Sequence, residues 1–369
     1  MIKYSANRPL ALLALASLLA PTTAFCDWKA TRSFSQPRTA LATATKDNYV
    51  YLLGGYNYID NKETVFGDVQ VAQIAKDGSI SADGWKSTSS LLTKRSGLGS
   101  AVYGDYIYAV GGYSNGFNLD DTEYAKINAD HTLGEWKKSS SKLNSGRAYV
   151  ALQLISVKGK TYLAAIAGIG GARGVSIGLT TIEVASINSD GSISNWKSCP
   201  YGVKGGRSAA VTFVDKNRLY VVGGIGDYAT DIYDDVQWAQ LSADGCPGPW
   251  HATAHGMNIP LYGMSAAVTS LTNPPTVILT GGSAGQGNYF NSLQYARILA
   301  NGDVGKFYFD THQFSTPRWG HSAFIVNNYL YVAGGAERSG AGFLSDVQYT
   351  TISDLRNWDN LLEQVSPIR

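Results

Sequence analysis

The chain of 369 residues has a formal net charge of +2 and 16% charged residues, and it contains no run of Lys and Arg that would form a basic stripe. This composition excludes a disordered chain and a coiled coil, and it gives no general attraction for nucleic acid. The 41 glycines and 23 tyrosines instead indicate many tight turns between aromatic-rich strands.

The N-terminal stretch differs from the rest of the chain. Lys3 and Arg8 precede an apolar run over Leu10–Ala20, and small residues follow it. The pattern predicts a cleaved secretory signal peptide at residues 1–24, with export to the periplasm or the medium. The alternative, an N-terminal membrane anchor, needs an apolar run of about 20 residues, roughly twice the length of this one. No later segment is long and apolar enough to predict a membrane span in the mature chain, which we expect to form one domain over residues 25–369.

One short apolar strand that ends in a glycine pair recurs along the mature chain. Its six copies are Val50–Gly55, Ile107–Gly112, Ala164–Gly168, Leu219–Gly224, Val277–Gly282 and Leu330–Gly335. In each repeat another strand precedes this apolar strand, and a loop with small residues leads into that first strand. In most repeats the loop contains an arginine. A further strand and a turn of the Asp-Gly type follow the glycine pair, and the repeat ends on a tryptophan strand.

The tryptophan position defines the period of the repeat. It is occupied by Trp28, Trp85, Trp136, Trp196, Trp250, Phe307 and Trp358. A unit of about 50 residues with four short strands is typical of a propeller blade. The sequence therefore predicts an all-β fold, a six-bladed β-propeller with four antiparallel strands in each blade. The sequence has seven such strands for six blades, so the strand at either Trp28 or Trp358 cannot serve as a regular fourth strand. We expect the N-terminal strand to join the last blade and close the ring.

Two cysteines occupy nearby positions of adjacent repeats. Cys199 follows Trp196 and Cys246 precedes Trp250, and export would place them in an oxidising compartment. A disulfide between them is one reading, and two separate buried thiols are the other. The chain has no CxxC pair and no zinc-ligand spacing, so no metal or other cofactor is predicted.

The combination of arginine, small residues, aromatic strand, Gly-Gly and tryptophan resembles the kelch repeat over residues 28–369. Three positions depart from that pattern: Ala167 replaces a glycine, Leu261 replaces an arginine and Phe307 replaces a tryptophan. The resemblance implies a kelch-type propeller, a fold that serves both binding modules and a few enzymes.

Candidate ligand-binding residues come from two sets of loops. Because strand direction alternates within a blade, we expect the loops before the first strands and those after the glycine pairs to open on one face. The first set contains Arg38, Arg95, Arg147, Arg207 and Arg318. The second set contains Tyr56, Tyr113, Arg173, Asp227, Tyr228, Tyr289, Glu337 and Arg338. Alternatively, the arginines bind carbonyl groups or acidic residues of neighbouring blades, and the tyrosines belong to ordinary exposed turns.

These residues favour noncovalent binding of a glycan or protein ligand, and guanidinium groups would suit an anionic one. The resemblance also implies an alternative, an envelope enzyme similar to sialic acid (N-acetylneuraminate) mutarotases. That activity would need an acid/base group, for which Glu337 and Asp227 are the candidates, but no motif singles out a catalytic residue. The five histidines are scattered along the chain and form no metal or catalytic motif.

Overall fold

The computed structural model describes residues 28–171, 177–227, 230–310 and 312–352. The described strands include six four-stranded antiparallel sheets, which follow one another along the chain as blades 1 to 6. The predicted six-bladed propeller is therefore confirmed. The predicted signal peptide, Arg173, Tyr228 and Trp358 lie outside the described residues. Within the described ranges, no helix has the length and apolar character needed to cross a membrane.

In every blade the first strand lies innermost, and the first strands contact one another around the central axis. Strands one to four of blade 1 are Ala42–Lys46, Tyr49–Leu53, Val69–Gln73 and Lys86–Thr88. Those of blade 2 are Gly99–Tyr103, Tyr106–Val110, Thr122–Lys126 and Lys137–Lys138. Those of blade 3 are Ala151–Val157, Lys160–Ile166, Ile182–Ser186 and Lys197–Ser198.

The second half of the ring repeats the same order. Strands one to four of blade 4 are Val211–Asp215, Arg218–Val222, Val236–Leu241 and Pro247–Ala252. Those of blade 5 are Ser265–Thr269, Thr276–Thr280, Leu293–Arg297 and Tyr308–Phe309. Those of blade 6 are Ser322–Val326, Tyr329–Ala333, Val347–Thr351 and the N-terminal Lys29–Thr31.

The ring closes in blade 6 by pairing the two ends of the described chain. Lys29–Thr31 lies antiparallel to Val347–Thr351, with Ala30 opposite Gln348. This arrangement confirms the prediction that the N-terminal strand joins the last blade. It covers the strand that would otherwise form an open edge of the blade.

Two-stranded hairpins extend the connections after four of the six repeated strands. They are formed by Tyr56–Ile59 with Lys62–Val65, Tyr113–Ser114 with Phe117–Asn118, Ile169–Gly170 with Ile177–Gly178, and Ala336–Arg338 with Ala341–Phe343. These hairpins belong to blades 1, 2, 3 and 6. The connections of blades 4 and 5 have only single bridges at the same place, Ile225–Ile232 and Ser283–Tyr289.

The glycine pairs are required by the close approach of the neighbouring blade. Gly54 has a φ of +58°, and a Cβ atom there would lie 2.3 Å from the carbonyl oxygen of Arg95. A side chain at this position would therefore meet both backbone strain and a direct clash. The second strand that precedes the pair is buried between blades, as Tyr51 and Leu52 show with no exposed surface.

Large aromatic side chains of the fourth strands fill the space between diverging blades, as predicted. Trp136, Trp196, Trp250 and Phe307 are all buried. The indole nitrogen of Trp136 in blade 2 donates a hydrogen bond to the carbonyl oxygen of Ser89, which follows blade 1, at 2.8 Å.

A disulfide joins Cys199, after blade 3, to Cys246 in the last turn of blade 4, with an S–S distance of 2.08 Å. The sequence left open either a disulfide or two separate thiols for these cysteines, and the structure contains the disulfide.

Candidate functional site

Two sets of loops meet on one side of the propeller, which we call the loop face. The loops before the first strands and the connections after the glycine pairs are joined there by one antiparallel bridge in every blade. In blade 1 the bridge is between Thr39, next to Arg38, and Tyr56, next to the glycine pair. The other bridges are Ser96–Tyr113, Ala148–Ile169, Ser208–Ile225, Tyr262–Ser283 and Trp319–Ala336. The expectation that both loop sets share one face is confirmed.

The five arginines lie beneath the loop face with exposed fractions of 0 to 1%. Each donates to the carbonyl oxygen at the first position of the glycine pair and to a third-strand carboxylate, as Arg318 does with Gly334 (2.9 Å) and Asp346 (2.8 and 2.9 Å). The ion pairs are Arg38–Asp68, Arg95–Asp121, Arg95–Glu123, Arg147–Glu183, Arg207–Asp235 and Arg318–Asp346. The partners are thus carbonyls and acidic residues, as the structural alternative expected, but they belong to the same blade and not to a neighbouring one.

These pairs hold charged partners together inside the fold. Burial alone would raise the pKa of Asp121, but the charges and hydrogen bonds of Arg95 and Lys138 hold that pKa below the usual aspartate value. Burial would likewise raise the pKa of Asp68, but the hydrogen bonds and charge of Arg38 hold that pKa below the usual aspartate value. The arginine charges are therefore balanced within each blade and are not presented to solvent on the loop face.

Blade 5 lacks both members of the pair. Leu261 replaces the arginine, and the third-strand position held by Asp346 in blade 6 is Ser292 in blade 5. The two positions correspond because the backbone N–H of Gly281 donates to Ser292 O (3.0 Å) as that of Gly334 does to Asp346 O (3.1 Å). Losing both charges together avoids an unpaired, partly buried carboxylate, which would be costly.

The hairpin residues of the second set do reach the loop face. Tyr56, Tyr113 and Tyr289 are half-buried, while Asp227, Glu337 and Arg338 are exposed. Two of them brace neighbouring blades. Asp227 Oδ1 accepts a hydrogen bond from the Gly178 N–H at 2.5 Å, and the Tyr289 hydroxyl accepts one from the Ser339 N–H at 2.8 Å.

Two of the histidines that the structure describes have local packing roles in different blades. His131 stacks on Tyr49 with ring centroids 3.6 Å apart, and His321 is buried with its Nε2 atom 2.8 Å from the Thr280 hydroxyl. Among the described residues, no group of three or more His, Cys, Asp and Glu side chains could hold a metal ion.

Tyr149 is a loop-face residue that the sequence reasoning missed. It lies two positions after Arg147 and has a φ of +48°, a left-handed conformation that is rare for a bulky side chain. The same position in the other repeats carries small residues, namely Ala40, Gly97, Ala209, Gly263 and Gly320. Aligning the repeats on their arginines would have exposed this difference.

The six positions surround the central axis at its loop-face end. Backbone hydrogen bonds run from blade to blade between them, for example from Ala40 N–H to Gly320 O (2.8 Å) and from Gly97 N–H to Ala40 O (2.7 Å). A cavity of about 130 Å³ lies inside this collar, and Tyr149 is part of its lining. Tyr149 is therefore the one bulky residue among the six collar positions that line this cavity.

A protein-family model described as the Kelch motif matches residues 94–124, which include Arg95, the Gly111-Gly112 pair and Asp121. No curated protein sequence gives a significant match to the chain. The six in-register repeats, the six four-stranded blades and this motif together identify the chain as a six-bladed kelch-repeat β-propeller.

Proposed function

We propose that the protein is a noncovalent binding module that holds a protein partner against its loop face. The observation that carries this proposal is the distribution of exposed apolar side chains. Of the eleven large hydrophobic residues exposed in the described part of the chain, six lie on loop-face connections. These six are Tyr58, Ile59, Leu92, Phe117, Ile177 and Tyr201.

The hairpins of blades 1, 2, 3 and 6 give this surface its relief. Tyr58 and Ile177 lie in such hairpins and are 43% and 44% exposed. Aromatic side chains such as that of Tyr58 are enriched in the centres of protein interfaces. A propeller with hairpins in four blades and shorter pairings in the other two therefore offers an uneven contact surface, in keeping with the general use of this fold as a binding scaffold.

The buried arginines bear on the charge of the ligand. The proposal of an anionic glycan or an acidic peptide depended on free guanidinium groups, and these groups are held by carboxylates within the blades. What reaches solvent is a mixture of aromatic rings, carboxylates and a few cations. This mixture suits a protein surface better than it suits a polyanion.

We further propose that the protein works outside the reducing cytosol, in the periplasm or the medium. The Cys199–Cys246 disulfide supports this location, because such bonds persist in oxidising compartments. Fractionation of the native cells with N-terminal sequencing of the mature protein tests it. Recovery of an uncleaved chain in the cytosol would refute this location.

Site-specific photocrosslinking tests the binding role. A photoreactive phenylalanine analogue is placed at Tyr58 or Ile177 on the loop face, or at Tyr103, which is 42% exposed on the opposite face. We expect one discrete partner protein to be crosslinked from both loop-face positions, to be absent from Tyr103, and to bind again when purified. Equal crosslinking from Tyr103, or binding of purified glycans with no protein captured, would overturn the proposal.

A further inference from the structure

A cluster of aromatic rings lies where the hairpins of blades 1 and 6 meet on the loop face. The rings of Tyr56, Tyr58 and Phe343 form a triangle with centroid distances of 6.2, 5.9 and 6.0 Å. Tyr58 is 43% exposed, and the other two rings are half-buried. One side of the triangle is therefore open to a ligand.

Tyr149 connects this triangle to the cavity inside the collar. Its hydroxyl interacts with the hydroxyl of Tyr56, although the two residues belong to blades 3 and 1. All six positions of the collar have this left-handed backbone, but only in blade 3 does a bulky side chain occupy it. Strain of this kind in a bulky residue is concentrated at binding and catalytic sites, and here it coincides with an aromatic cluster.

A carboxylate lies on the same side of the blade 1 hairpin as the tyrosines. Tyr58 is directly opposite Glu63, and Tyr56 is opposite Val65. Because side chains alternate along a strand, Glu63 shares the face of both tyrosines, whereas Lys62 points to the other face. Glu63 has no ion-pair partner in the described part of the chain.

The charge of Glu63 contributes to the raised pKa values of two tyrosine hydroxyls. Burial, with a contribution from the charge of Glu63, raises the pKa of Tyr56 to about 12. The same causes raise the pKa of Tyr149 well above its usual value. Tyr56 and Tyr149 consequently keep their hydroxyl protons up to alkaline pH. Arg338 lies at the tip of the blade 6 hairpin, on the same face as Phe343, and limits the site on that side.

We propose that Tyr56, Tyr58, Phe343, Tyr149 and Glu63 form a site for a basic side chain, the lysine or arginine of a protein partner. Aromatic faces attract organic cations, and a carboxylate beside them strengthens that attraction. This inference rests on the proposed binding role of the loop face and names the chemistry that its axial part recognises.

Short peptides test the site without knowledge of the partner. Protein with ¹³C-labelled tyrosine rings is titrated with acetyl-Gly-Arg-Gly-Lys-Gly-amide and with the same peptide carrying Glu at both charged positions. We expect saturable shifts of the Tyr56, Tyr58 and Tyr149 signals with the basic peptide only. The Glu63→Gln and Tyr58→Leu variants should each weaken binding about three- to tenfold. Lys62→Gln, on the opposite face of the same hairpin, should leave it unchanged.

Several results would overturn the site: equal shifts with the acidic peptide, no saturable shift, an effect of Lys62→Gln equal to that of Glu63→Gln, or a neutral oligosaccharide that moves these signals when the basic peptide does not. Circular dichroism of each variant shows that the fold is intact. If the peptide test fails while loop-face crosslinking to a protein partner succeeds, the basic-residue site is wrong and the binding role stands.

Discussion

Tyr108 in the second strand of blade 2 donates its hydroxyl hydrogen to the carbonyl oxygen of Gly191 in the last turn of blade 3, at 3.0 Å. The equivalent tyrosines do the same to the next blade around the ring. Their bonds run from Tyr51 to His131 O, from Tyr220 to Gly302 O and from Tyr331 to Gly78 O. The tyrosine of the repeated strand therefore links neighbouring blades by a hydrogen bond and is also a core residue.

Removing one such hydroxyl should loosen the contact between two blades. Tyr108→Phe keeps the ring but leaves the buried Gly191 carbonyl without this donor, so we expect a loss of about 1 kcal/mol in the free energy of unfolding. Urea denaturation measures it. Tyr103→Phe, at an exposed position of the same blade, is the control and should change little. An equal effect of both changes would contradict a stabilising role for the hydrogen bond between Tyr108 and Gly191.

Blade 3 has Ala164 at the tyrosine position, and the disulfide lies at that contact. Cys199 and Cys246 join blades 3 and 4, where only a 3.4 Å contact from Tyr162 to Ala243 O replaces the usual bond. Reduction should therefore destabilise the protein by about 2–4 kcal/mol, the usual range for a disulfide. Urea denaturation with and without dithiothreitol measures this. The Cys199→Ala/Cys246→Ala double variant is the control, and a further effect of reductant on it would contradict the assignment.

The buried ion pairs can be tested against the example that blade 5 provides. Arg318→Leu alone leaves the Asp346 carboxylate without its cation and should cost about 1–3 kcal/mol of stability, given the partial exposure of that carboxylate. Arg318→Leu combined with Asp346→Ser reproduces Leu261 and Ser292, and it should recover part of the loss. A double variant less stable than the single one would show that the pair does not act as a unit.

His321 should make stability depend on pH. Burial, followed by the charge of Arg318, lowers its pKa from 6.5 to about 3 in the folded state. The unfolded chain takes up the proton first, so stability from this group is complete above pH 6.5 and falls as the pH decreases toward 3. His321→Met copies Met264, the residue at this position in blade 5, and should reduce the slope between pH 6.5 and 4. Identical slopes for the two proteins would refute the assignment.

The enzyme alternative has a direct assay. Proton NMR of freshly dissolved N-acetylneuraminate follows its anomers as they equilibrate, with and without the protein. We expect no acceleration, because the repeat arginines that would hold the substrate carboxylate are bound to Asp and Glu side chains. Accelerated equilibration, abolished by Glu337→Gln or Asp227→Asn, would establish the enzyme and overturn the binding-only role.

The architecture could be predicted because its signals are local and repeated. Gly54 and its counterparts each mark a strand end where a neighbouring loop approaches, and each tryptophan marks an outer strand. The site could not be predicted in the same way. Whether Arg38 meets a ligand depends on Asp68, thirty residues further along the chain, which lies within 2.7 Å only after the blade has formed. The loops that differ between repeats carry no periodic signal at all.

Taken alone, the sequence determined the number of blades, the order of their strands and the face on which the loops meet. These features follow from hydrophobic alternation along the strands and from glycines at strand ends that other residues cannot easily replace. Only the tertiary structure decided that the arginines are neutralised in place, that the N-terminal strand completes blade 6, and that Tyr149 of blade 3 interacts with Tyr56 of blade 1. Those outcomes depend on distances between residues far apart in the chain, and such distances exist only once each blade has formed or, for the last two, once the blades have assembled into the ring.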